Sequence, residues 1–115
     1  MANTFKVVTK AGVTSADVIY TAGSGVRAIV LGLILGNTTT SQITSTVTLT
    51  SDTSARAGAN DEANQAVEWI TDAPIPAGSS LELLSGNKVV LETTDTISVT
   101  GSGATDVALS IMEIT

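Results

Sequence analysis

The feature that most constrains this chain is a succession of short β-type runs at roughly ten-residue spacing, each closed by a turn signal. The sharpest is QITSTVTLTS, Gln42 to Ser51, where Ile43, Val47 and Leu49 fall on one side of a period-two pattern and Thr44, Thr46, Thr48 and Thr50 on the other. Successive strand side chains point to opposite faces, so one face of this segment meets a core and the other meets water or a neighbour.

The remaining runs follow the same logic. Thr4 to Thr9 (TFKVVT) and Ala16 to Thr21 (ADVIYT) are separated by Lys10-Ala11-Gly12, and Gly23-Ser24-Gly25 frees the chain to reverse. Val26 to Leu35 (VRAIVLGLIL) is apolar on both faces, which predicts a central or interface strand, and Gly32 within it suggests a bulge or a close backbone approach. Ala66 to Thr71 (AVEWIT) places Val67, Trp69 and Thr71 on one face, and Asp72 to Gly78 is read as ending that strand. Pro74 and Pro76 have no N–H to give a ladder, which confines this stretch to an edge or a crossover. Ser80 to Leu84, Lys88 to Glu92 and Asp95 to Thr100 are three further short strands, with Gly86-Asn87 a turn signal of the hairpin kind. Asp106 to Ile114 closes the pattern, with Val107, Leu109 and Ile111 facing one way. Between the runs, Asp52 to Asn64 is polar, lacks either periodicity and reads as a long loop.

No segment has a convincing helical period. The expectation is an all-β fold, an antiparallel β-sandwich of jelly-roll or immunoglobulin-like wiring, with about eight short strands in a single domain spanning 1–115. With one Phe, one Trp and one Tyr among 43% hydrophobic residues, its core must be aliphatic.

Charge and missing residue types narrow the function. A formal net charge of −6 argues against nucleic acid and against an anionic membrane as partners, since both need a basic face. The run from Val26 to Leu35 is about half the length of a membrane-spanning helix, and Met1 to Lys6 lacks the apolar core of a secretion signal. There is no His and no Cys, which removes the commonest general base, thiolate nucleophiles and disulfides. No catalytic, cofactor-binding or metal-binding residue is assigned, no cofactor is expected, and the chain is read as a non-enzyme.

Several constellations compete with that reading. Asp61-Glu62, with Asp52 and Glu68 nearby, offers oxygen ligands for a hard cation but matches no calcium-loop spacing, and a solvated acidic loop accounts for it. Glu82, Glu92 and Asp95 could pair as in a glycosidase, yet they alternate with apolar neighbours as outward sheet positions do. Gly23-Ser24-Gly25 and Gly101-Ser102-Gly103 lack the following helix of a phosphate loop. Trp, Tyr and Arg most often anchor interfaces, so Phe5, Arg27, Arg56 and Trp69, with the edge at Pro74 and Pro76, are the candidate interface residues. Core filling is the competing explanation for Phe5, Tyr20 and Trp69.

Four stretches carry a family resemblance: MANTFK at the start, RAIVLGLILGN in the centre, PIPAGSSLELLSGNKVVLETTD, and VALSIMEIT at the end. On them the chain resembles the small virion structural proteins of tailed phages, particularly phages of marine bacteria and cyanobacteria. The resemblance implies a non-enzymatic virion component assembled in the host bacterial cytoplasm, displayed in many copies as a capsid decoration (cement) protein. Its implied partners are the major capsid protein or other virion proteins, and its implied state is a homotrimer. A neck, tail or fibre component, a carbohydrate- or host-surface-binding module, and a hydrolase are the alternatives, in that order.

Overall fold

In a computed structural model that describes residues 2–51, 65–84 and 88–115, the described residues form nine strands. These are β1 (Asn3–Val13), β2 (Asp17–Thr21), β3 (Arg27–Asn37), β4 (Ile43–Ser51), β5 (Gln65–Ile75), β6 (Ser80–Leu83), β7 (Val89–Leu91), β8 (Thr96–Gly101) and β9 (Thr105–Ile114). One sheet has the order β1-β9-β3-β6, with β7 also on β3, and the other has the order β2-β8-β4-β5. All pairings are antiparallel. The molecule is an all-β antiparallel sandwich.

Its core is aliphatic. Val30, Leu33, Leu35, Leu109 and Ile111 from the five-stranded sheet meet Val47, Ile97 and Val99 from the four-stranded one, all essentially without solvent exposure. Each such side chain contributes about 1.5–3 kcal/mol of transfer free energy. The inward sets follow the sequence alternation: Ile43 and Val47 on β4 are buried, as are Val107, Leu109 and Ile111 on β9. Along β3, Val30 stands opposite Ile111 and Gly32 opposite Ser110, which leaves Leu31 as the extra residue of a bulge. A Cβ on Gly32 would meet open space, so this glycine marks the bulge and no close approach.

Four expectations need correction. Lys10-Ala11-Gly12 does not end β1: the strand runs on to Val13, and a register shift with Gly12 at φ +68 absorbs the extra residue. Asp72 does not end β5 either. It takes φ +47 within the strand, and its N–H donates to Thr46 Oγ1 at 3.0 Å. Two register shifts in β5 also break the alternation of Val67, Trp69 and Thr71, because Val47 faces Ile70 while Thr48 faces Glu68, leaving Trp69 out of the ladder.

The fourth concerns β6 and β7, which the hairpin signal would pair with each other. Both instead pair with β3, end to end, at Leu33–Gly36 and Ala28–Val30. β3 is eleven residues long, enough to hold both, and their inward Leu81, Leu83 and Leu91 then join the core. Gly86-Asn87 lies outside the described residues. Among consecutive strands, β4 and β5 alone are neighbours; elsewhere the chain crosses between sheets or, from β6 to β7, continues along β3.

Two polar features fasten the ends of the strands. Asn37 is buried and fully engaged: Nδ2 donates to the carbonyls of Ser41 at 2.8 Å and Ile75 at 2.9 Å, and Oδ1 accepts from Thr39 N–H at 2.9 Å and Thr39 Oγ1 at 2.7 Å. Ala2 and Thr115 exchange N–H···O bonds of 3.1 and 3.0 Å beside the β1–β9 ladder.

Candidate interaction face

The outward side of the five-stranded sheet is the surface that most departs from a solvated one. Cross-strand register arranges its side chains in rows. Asn3, Ile114 and Arg27 form the first row, followed by Phe5, Met112, Ile29 and Val90. Val7, Ser110 and Gly32 form the middle row. Thr9, Ala108, Ile34 and Glu82 come next, and Asp106, Gly36 and Ser80 form the last. Phe5 is 71% exposed, Val7 64%, Val90 49% and Ile34 43%, so the surface is apolar and open.

This face is uneven in relief and in charge. Bulky side chains occupy one end, beside a marginal hollow of about 320 Å³ at Arg27, Glu92 and Ile114, and at the other end small residues leave two hollows beside Ile34. One, of about 360 Å³, is lined by Thr9, Gly36 and Ala108; the other, of about 200 Å³, by Gly32, Leu84 and Ser110. Charged side chains keep to the margin: Arg27 sits at the bulky end, Asp106 at the hollow end, and Glu82 and Lys88 lie on the β6–β7 side. Arg27 is exposed and pairs with Glu92 at 3.0 Å. Asp106 accepts the Gly12 N–H at 3.0 Å.

The gap between the sheets on the β1–β2 side is closed by polar contacts. Lys6 Nζ lies 2.7 Å from Glu113 Oε1, Tyr20 donates its hydroxyl to Glu113 Oε2 at 2.6 Å, and Lys10 pairs with Asp17 at 3.4 Å. Lys6, then Tyr20, hold the Glu113 carboxyl below its ordinary range. Burial, then the bond to and charge of Glu113, push the Tyr20 phenol well above its own. Inward-turned lysines on an edge strand also oppose pairing of β1 with a stray strand.

The structure does not gather the candidate interface residues into one place. Phe5 and Arg27 lie on the outward face. Trp69, Pro74 and Pro76 belong to β5, the edge of the other sheet, and its margin, where Trp69 is half-buried against the core and both prolines are exposed. Core filling, the competing explanation, fits Trp69 and Tyr20 and fails for Phe5. Arg56 and Asp61-Glu62 lie outside the described residues. Of the three acids that could pair as in a glycosidase, Asp95 is buried and accepts the Glu92 N–H at 3.0 Å within a turn, Glu92 holds Arg27, and Glu82 stands on the outer face. Among the described residues, no group of three or more acid, His or Cys side chains could hold a metal ion, and no helix is long and apolar enough to cross a membrane. Sequence reasoning missed Val7, Ile34, Val90 and Met112. The available signal was apolar residues at both parities of β3 and β9, as in Leu33-Ile34 and Ile111-Met112.

No protein-family profile and no curated protein matches this chain. Among solved structures, it is similar to a chain from Bacillus endospore appendages, described as a novel family of disulfide-linked pili. The two share 16% identity at a TM-score of 0.48, over 99% of this chain and 87% of that one. Likeness of that degree carries no function across, and the present chain contains no cysteine.

Proposed function

We propose that this chain is a non-enzymatic virion structural protein of a tailed phage, a capsid decoration protein that reinforces the head shell by burying surface against its neighbours as a homo-oligomer. The supporting observation is the outward face of the five-stranded sheet, where Phe5, Val7, Ile34 and Val90 stand exposed with charge only at the margin. Contiguous apolar surface of that kind is a site of protein contact, because leaving it in water forfeits about 25 cal/mol per Å².

The four stretches that resemble virion proteins support the same reading. MANTFK enters β1, RAIVLGLILGN coincides with β3, PIPAGSSLELLSGNKVVLETTD runs from the end of β5 through β6 and β7, and VALSIMEIT is β9. They build the five-stranded sheet almost exclusively. The test is gold labelling of intact virions with an antibody to this protein, viewed by electron microscopy. Label spread over the head is the expected result; label confined to one vertex or to the tail would replace decoration with a neck, tail or fibre role.

A further inference from the structure

We infer that the outward face of the five-stranded sheet is a two-fold contact, on which the same face of a second copy of this chain stacks with its strands reversed. The biological setting of such a pair rests on the proposed function, but the pair forms or fails in purified protein alone.

The face is complementary to itself about one axis, the middle row of Val7, Ser110 and Gly32. Rotation about that row keeps β1, β9 and β3 each over its own copy, sets β6 over β7, and exchanges the two ends of the face. Phe5, two residues to one side of Val7, then lies over Thr9 of the other copy, two residues to the opposite side. Thr9 lines the hollow of about 360 Å³, so the exposed ring of Phe5 meets a depression on the other copy. Met112 and Ile29 are likewise brought over Ala108 and Ile34, and Val90 over Glu82, which lines the smaller hollow.

Charge follows the same operation. Arg27, paired with Glu92 at the bulky end, comes over the end that carries Asp106, and Glu82 comes over Val90 at the margin. Two copies of a chain of net charge −6 repel over most of their surface. Here the interior is uncharged, and Arg27 of each copy approaches the end of the other that carries Asp106. An axis along the strands would instead set Arg27 near Arg27 and Asp106 near Asp106.

Area sets the strength. Four strands at about 4.8 Å spacing, over about eight residues at about 3.3 Å each, present roughly 500 Å² per copy. The pair therefore buries about 1,000 Å², the lower bound for a specific interface, so association is reversible and depends on concentration.

Sedimentation velocity of the full chain from micromolar to millimolar concentration tests this. The expected result is a shift from one to two copies, with Phe5→Ser raising the midpoint at least tenfold and Thr100→Lys, outward on the other sheet, leaving it unchanged. Circular dichroism checks that both variants fold. Orientation is read by a short bismaleimide crosslinker on single-cysteine variants, since the native chain has no cysteine: Val7→Cys crosslinks to itself, and Thr100→Cys does not. A chain monomeric throughout, a three-copy mass, a midpoint indifferent to Phe5→Ser, or a Val7→Cys variant that stays uncrosslinked while paired would each overturn the inference. Head labelling of virions by a monomeric protein would sink the pair and leave the decoration role standing, and a pair that labels no virion would do the reverse.

Discussion

The hydroxyl of Tyr20 on β2 donates to the carboxylate of Glu113 on β9 at 2.6 Å, a bond that ties the two sheets together where their cores run out. Lys6 holds the other oxygen of the same carboxylate at 2.7 Å. Glu113 is thereby depressed, so its contribution to stability is complete above the ordinary carboxylate pKa and lost as pH falls through the folded value. Tyr20 is raised, so its contribution is complete below the ordinary phenol value of 10.0 and lost as pH rises through the folded one. Thermal melts across pH should show Glu113→Gln flattening the acid limb and Tyr20→Phe flattening the alkaline limb. At neutral pH, Tyr20→Phe should cost about 1 kcal/mol, below the range for a bond to a charged group because the pair is only partly buried.

Gly101 cannot accept a side chain. A Cβ there would lie 2.7 Å from the Val13 carbonyl oxygen and 2.8 Å from that of Gly103, both backbone atoms that cannot swing aside. Gly101→Ala should destabilise by about 2 kcal/mol in urea titrations. Gly23→Ala, which meets nothing closer than Val26 Cγ2 at 3.7 Å, should change stability by less than about 0.5 kcal/mol. Equal effects would show that the strand end near Gly101 relaxes freely.

Asn37 is a donor facing two carbonyls, and an Asp in its place would set a buried carboxylate against them. Asn37→Asp should cost at least about 2 kcal/mol at neutral pH. Acidification, which gives that side chain a proton to donate, should return part of the loss. A variant equally unstable at every pH would mean that packing, and no hydrogen bonding, explains the position.

Arg27 and Glu92 form an exposed pair, and exposed pairs add little. Arg27→Ala should alter the stability of dilute protein by less than about 0.5 kcal/mol. A larger loss in dilute protein would show the pair to be structural.

Much of the fold is legible because its signal is local. The alternation in β4 and β9 fixes which side chains turn inward without reference to any partner. The two-sided apolar character of β3 likewise marks it as central. Strand pairing has no such local signal. β6 and β7 carry a turn signal between them, but the extended edge of β3 and the core beneath it decide where they lie. β1 and β5 outrun their apparent ends because Gly12 and Asp72 each absorb an extra residue inside a strand, where sequence suggests a stop. The candidate face was half visible for a related reason. Phe5 stands out as a lone aromatic residue, but Val7, Ile34 and Val90 become one surface only after β1, β3 and β7 are set in register.

The partnership of β1 with β9, sealed by Ala2 and Thr115, also governs how the chain must be made. Asn3 pairs with Ile114, so a strand synthesised early waits for one that appears about a hundred residues later. At about 5–20 residues per second that delay is roughly 5–20 seconds. Throughout it, Phe5 and Val7 belong to an extended segment without its ladder. Completion of the five-stranded sheet is therefore a late event, and folding of so non-local a topology belongs on the millisecond-to-second scale.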